Sequence, residues 1–459
     1  MAGTLWKAAE SERRRAEAES ARAAAESSET VARREAAVAK ATTLFVQEML
    51  ASANPRRAAG EISGRDVKVA DVLDDARERL ASSFSSEPEV RASLEQTLGL
   101  SYMELGFLDE ALPLLEVALS RREANLGPSA PETLLAKHEL AILLERRGEF
   151  ERAEALMREA HAGRVRVLGR DDAETLGSLM HLAGLAMRRG DLQEAETLYR
   201  RSREGLLRVA GPDEPQALTA AVNLAFILRH LDRKQEAEPL LRDALARRTR
   251  VLGADHPDTI SARNNLAAMV EDPAEGARLF AEVAEAYREV LGPGHTSTIL
   301  ATNNMAAMLW RAGDVDGAER GFREALAGYE ATVGAAHPKA LVTRNNIARI
   351  LVDRGHHGEA ADAYRALLAD AARVLPEGHW NLASFRMGYG MALTELGRFG
   401  EAKRMMAAAH DQLEEAFGAE DERTIRAAER LKTVQERAAT AAASPAPEPA
   451  THAPRSSSG

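Results

Sequence analysis

A turn glycine recurs along this chain at a nearly fixed step, and that period limits what the chain can fold into. Gly127, Gly169, Gly211, Gly253, Gly292 and Gly334, then Pro376 in the same slot, then Gly418, stand 42 residues apart with a single step of 39. A repeat of this length is the mark of a solenoid, in which each unit buries its apolar face only against its neighbours. The plan is plainest from Val251 to Ala281, VLGADHPDTISARNNLAAMVEDPAEGARLFA: a turn ending in Gly, a helix with a polar pair before Leu-Ala, a sharp turn, and an Ala-rich helix. The expected architecture is an all-α solenoid of about eight 42-residue helix–turn–helix repeats.

Within each unit the first helix should end at Gly106, Gly148, Gly190, Gly313, Gly355 or Gly397, where a left-handed residue is needed, with Asp232 substituting once. Ahead of these lie pairs of one large and one small residue: Leu98-Gly99, Leu140-Ala141, Leu182-Ala183, Leu224-Ala225, Met305-Ala306, Ile347-Ala348 and Tyr389-Gly390. The small residue lets two helices approach, and the large one fills the space beside it. Such packing suits a chain that is 45% hydrophobic but only 4% aromatic. The step of 39 arises after Leu266-Ala267, where MVEDPAEGARLF lacks three residues around Glu271 to Pro273, and it predicts a local change of superhelical pitch.

The flanks read differently. Residues 1–50 are rich in Ala, Glu and Arg with no Pro or Gly after Gly3, which favours one long charged helix. Val31, Val38 and Phe45 fall seven apart, a seam for a coiled coil or self-association near the end of that helix, although a solvated spacer is the plainer reading. Residues 51–86 should be a linker, broken at Asn54-Pro55 and Gly60 to Gly64, and a capping helix from Asp66 that carries Val69, Val72, Leu73, Ala76 and Leu80. The array is expected over residues 87–437, closing with a polar helix from Arg423 to Arg437, and 438–459 reads as a disordered Ala, Pro and Ser tail.

Composition then excludes function classes. A net charge of −11 disfavours a general affinity for nucleic acid or anionic membrane. With no cysteine, disulfides, thiolate chemistry and Cys-ligated zinc are absent together. No run approaches 18 apolar residues, and MAGTLWKAAESERRR lacks the apolar core of a signal peptide, so a cytoplasmic chain without a membrane span is expected.

The polar pair is the candidate site. It reads Asn264-Asn265, Asn303-Asn304 and Asn345-Asn346, with Asn223 alone one repeat earlier and His181 before that. Asn is a mediocre helix former, so its return at one interior position calls for a reason. A carboxamide both donates and accepts, which suits it to the backbone of an extended peptide whatever the peptide's side chains. The competing reading is that one Asn of each pair bonds the next repeat and fixes stacking. Arg263, Arg344 and Arg386, one residue earlier, could add recognition of acidic groups, solvated surface arginine being the plainer reading. His256, His295, His337 and His379 recur once per repeat before the first helix, too far apart to share one ion, and read as turn and capping residues rather than metal ligands. No catalytic set, phosphate loop or cofactor motif stands out, so no enzyme and no cofactor is expected.

With these features in place the array, from about Pro88 to Arg437, resembles tetratricopeptide repeats, and LGADHPDT, LGPGHTST and VGAAHPKA, each leading into NNLA, NNMA or NNIA, resemble the kinesin-light-chain type. The resemblance implies a right-handed superhelix whose concave groove binds a protein or peptide partner. In such families the second Asn of the pair contacts bound peptide, which implies that role for Asn223, Asn265, Asn304 and Asn346, with His181 in the same line and Asn264, Asn303, Asn345, Arg263 and Arg344 as auxiliaries. The preceding FVQEMLASANPRRAAGEISGRDVKVADVLDDARERL resembles the segment joining a charged juxtamembrane helix to the repeats in large bacterial serine/threonine protein kinases. The alternative it implies is a detached regulatory region of such a kinase, without the kinase domain.

Overall fold

Every described stretch of regular structure is helical, and the sequence explains where each helix starts and stops. The computed structural model describes residues 68–443 apart from 83, 85 and 86, together with residues 22, 29, 32–33, 36–47 and 49. The chain divides into two compact units, residues 1–233 and 234–459.

In the first unit, residues 36–47 are helical (α1), followed by α2 (Val69–Ser82), then pairs α3 (Pro88–Glu104) with α4 (Leu108–Leu126), α5 (Pro131–Arg147) with α6 (Phe150–Val167), and α7 (Ala173–Arg188) with α8 (Leu192–Val209), and finally α9 (Pro215–His230). Entry is set by proline at the first turn of α3, α5 and α9, where its missing N–H leaves no bond unmade. The α7 entry instead uses Asp172, whose carboxylate accepts from the amides of Glu174 at 2.9 Å and Thr175 at 3.2 Å. Exit is set by a left-handed residue, Gly148 at φ +82° after α5 and Asp232 at φ +58° after α9, the one place where a side chain takes the glycine position.

The second unit runs α10 (Lys234–Leu252), α11 (Pro257–Ala267) with α12 (Pro273–Leu291), α13 (Thr296–Arg311) with α14 (Val315–Thr332), α15 (Pro338–Asp353) with α16 (His357–Val374), α17 (Trp380–Glu395) with α18 (Phe399–Phe417), and α19 (Glu422–Ala443). Here the recurring histidines are the N-caps: Nδ1 of His256, His295, His337 and His379 accepts from the backbone amides of Asp258, Ser297, Lys339 and Asn381, each at 3.2 Å. The missing three residues shorten the first helix of that repeat, α11, to 11 residues where α13, α15 and α17 have 16. Buried Met269 and Val270 fill the place of the lost turn, and Asp272 caps α12 through the amide of Ala274 at 3.0 Å.

The core is built from small residues in register. Ala111, Ala153, Ala195, Ala237, Ala318, Ala360 and Ala402 are all fully buried on the second helices. Small members of the large–small pairs meet the second helices closely: a Cβ built on Gly321 would stand 2.8 Å from that of Ala306, and one built on Gly99 2.7 Å from Leu115 Cδ2. Leu98, Leu140, Leu182 and Leu224 beside these contacts are at most 4% exposed, each worth about 1.5–3 kcal/mol of burial.

Two expectations on the flanks change. The end of the charged helix is not a solvated spacer: Phe45 is buried among Leu73, Leu80, Val90 and Leu94, and Val38 packs on the same cluster. The described part of the seven-residue seam is therefore used within the chain, while Val31 lies outside the described residues. At the other end α19 continues to Ala443, past residue 437 where the array was expected to stop, because Glu, Arg, Thr and Ala there keep good helix propensity until the Pro-rich segment. Asp66, the expected start of the capping helix, also lies outside the described residues.

Candidate peptide-binding faces

In the second unit α11, α13 and α15 carry Asn265, Asn304 and Asn346 at equivalent positions, all half-buried. None of these three carboxamides makes a side-chain hydrogen bond to another described residue. The first members of the pairs lie closer to the neighbouring helix. Asn303 accepts at 3.1 Å from the Thr343 hydroxyl of α15, and Asn345 is buried, its Oδ1 without a partner among the described residues, while Asn264 is half-buried. The two roles weighed for the Asn pair thus fall on different residues, stacking on Asn303 and an unengaged carboxamide on its neighbour.

The Thr343–Asn303 bond joins the first helices of two successive repeats, α13 and α15.

The arginines beside the pairs are not solvated. Arg344 is held by Asp370 at 2.8 Å, Arg263 lies 3.4 Å from Glu282, and Arg386 donates to Gln412, each partner standing on the second helix of the same repeat. With their donors engaged inside the repeat, these side chains act as struts of the helical pair.

In the first unit the same line of positions is closed. His181 of α7 packs edge-on against His138 of α5, ring centroids 4.7 Å apart. Arg164, 3% exposed, lies beside them, with Nη1 3.2 Å from His138 Nδ1 and 3.1 Å from the Glu174 carbonyl. Burial, then the neighbouring His181 and Arg164, pull His138 down to about 3, and burial and Arg164 lower His181 as well. Asn223 stands beside the buried Tyr199 hydroxyl. One repeat before His181 the slot holds Glu139, bonded by Gln96 and raised above the ordinary carboxylate range by burial. His181 and Asn223 therefore differ from the unengaged Asn of the second unit: larger neighbours on the preceding helices reach them first.

The period leads to two further positions that the sequence reading passed over. Forty-two residues beyond Asn346 stands Gly388, and 42 beyond that stands Arg430 on α19. Extending the repeat one helix further would have found both. Inter-repeat stitching was also missed: buried Arg122, Arg164 and Arg248 each donate to a carbonyl in the first turn of the next helix, those of Glu132, Glu174 and Asp258.

Among the described residues no helix is long and apolar enough to cross a membrane, and no three metal-ligating side chains are gathered. A tetratricopeptide-repeat model matches residues 89–164, 174–248, 216–272, 267–330 and 297–372, together more than half of the chain. No curated protein sequence matches it. Among solved structures, apo RapI is similar at 12% identity with a TM-score of 0.53, over 76% of this chain and 98% of that one. A signal transduction ATPase with numerous domains from Pyrococcus horikoshii, which carries a tetratricopeptide-repeat sensor, is similar at 13% identity and 0.55, over 79% and 54%. A Podosopora anserina protein assigned as a kinesin light chain with nearly identical TPR-like repeats is 24% identical with a TM-score of 0.39, over 44% and 98%. The first two share the fold. The stretch that resembles the kinase-borne segment includes residues 51–67, which lie outside the described ones.

Proposed function

Because the chain belongs to the tetratricopeptide-repeat family, we propose that it is a noncatalytic interaction scaffold whose second unit binds an extended segment of a partner protein along Asn265, Asn304 and Asn346. The observation that carries this reading is the contrast along one line of positions. Asn223 and His181 are engaged by neighbours, whereas these three carboxamides have no side-chain partner among the described residues. These amides remain open to solvent, and a peptide backbone offers a donor and an acceptor that can replace the water. Because main-chain groups are the same in every peptide, this ladder supplies affinity, and sequence preference must come from pockets beside it.

The test is a selection from a random-peptide display library with the full chain, followed by binding of the enriched peptides to Asn265→Ala, Asn304→Ala and Asn346→Ala combined. Enriched peptides that bind the wild type and lose at least tenfold in affinity for the variant support the reading. Enrichment that the variant retains in full contradicts it.

A further inference from the structure

At Gly388 the line of carboxamides gives way to a cationic recess. Gly388, Met387, Met391 and Trp380 on one side of α17, with Arg349 of α15 and Arg430 of α19, surround a space of about 200 Å³. The glycine is required there: a Cβ at position 388 would stand 2.2 Å from the Tyr364 hydroxyl and 2.3 Å from its ring carbon Cζ. That hydroxyl is fully buried just under the floor of the recess and has no hydrogen-bond partner among the described residues.

The charges around the recess are unequally matched. Arg423 is paired with Asp421 and Arg426 with Glu422. Arg430 instead meets only the Met391 sulfur, at 3.2 Å, and Arg349 lies over the Trp310 ring, 4.6 Å from its centroid. Neither has a carboxylate within ion-pair distance among the described residues, although Arg430 is half-buried. Asp353, the acidic group on the same helix as Arg349, accepts from the Trp310 indole at 3.0 Å. Burial, with Arg349 and Arg426 close by, pulls the Arg430 guanidinium below its ordinary value, as expected for a cation that lacks its counter-ion.

We infer that Arg349 and Arg430 form a subsite for one carboxylate of an acidic residue in a bound peptide, with Trp380, Met387 and Met391 taking the apolar side chain next to it. The two guanidiniums leave donors free for an anionic group, and a carboxylate accepts two parallel bonds from an Arg fork. The flat indole and flexible thioethers provide an apolar wall that adapts to differing neighbours. This subsite uses none of the three asparagines, so either site can fail while the other stands.

The probe is a fluorescently labelled peptide, Ser-Gly-Leu-Xaa-Leu-Gly-Ser, with Glu, Gln or phosphoserine at Xaa, titrated onto the full chain and onto R349Q, R430Q, R430K and the triple Asn-to-Ala variant, each confirmed as folded by circular dichroism. The expected result is binding of the Glu peptide at least tenfold tighter than the Gln peptide. That ratio falls towards one in R349Q and R430Q, is partly kept in R430K, and persists in the triple Asn variant. Equal binding of the Glu and Gln peptides, no binding of either, a preference for phosphoserine over Glu, or a Glu preference that survives both Gln substitutions overturns the inference.

Discussion

Leu224 and Gly388 carry the packing argument at the scale of single residues. Leu224 is 1% exposed beside the small Ala225, so Leu224→Ala leaves a cavity that helices touching at small residues cannot close. Its expected cost is about 2–5 kcal/mol, read as a shift in chemical denaturation, and no measurable loss would contradict the assigned register. Gly388→Ala pushes a methyl group against the Tyr364 ring, which is fixed on both sides and cannot swing aside as a leucine tip can. The expected cost is about 1–3 kcal/mol, and a neutral result would show that Tyr364 has room to move. The need for a small residue at Leu224-Ala225 is readable in sequence because it returns in every unit. The need at Gly388 is less direct, because it depends on which large residue fills the slot 24 residues earlier: Tyr364 here, where other repeats carry Leu115, Met157, Tyr199, Leu241, Phe280, Phe322 or Met406.

Helices α5 and α7 are joined by a half-buried histidine pair, and that pair makes their contact sensitive to acid. The folded value of His138, about 3, lies below the unfolded value near 6.5, so between the two the unfolded chain takes up a proton that the native state refuses. The contribution is complete above about pH 6.5 and is lost as pH falls towards 3, at up to about 1.4 kcal/mol for each pH unit per histidine. Denaturant titrations at pH 7, 6 and 5 should show that decline, and the double change His138→Gln, His181→Gln should flatten it. An unchanged slope in the double variant would mean that the acid response comes from other groups. Element boundaries were largely legible, because proline, histidine caps and left-handed glycines mark them locally. What single-helix reasoning could not reach was pairing between helices: Arg344 finds Asp370 and Arg386 finds Gln412 on the next helix, 26 residues on, and Phe45 finds a core made by α2 and α3. The shortened α11 was visible as missing residues, but that the loss falls on the end of the first helix follows only from how Met269 and Val270 pack.

For the whole chain, the period of 42 was enough to give the all-α repeat architecture, since each unit can bury its face only against the next. It was not enough to give the site. One line of equivalent positions holds Glu139, His181, Asn223, Asn265, Asn304, Asn346, Gly388 and Arg430, and whether each is closed or open depends on neighbours contributed by other helices. Tyr199 stands against Asn223 and His138 against His181, while the next three carboxamides have no side-chain hydrogen bond among the described residues. The central claim is that these three carboxamides bind peptide backbone. Calorimetric titration of one library-selected peptide into the wild type and into the combined Asn265→Ala, Asn304→Ala and Asn346→Ala variant, at matched folded stability, tests it most directly. Three lost hydrogen bonds should weaken binding by about 1.5–4.5 kcal/mol, and an identical Kd for the two proteins would contradict the account.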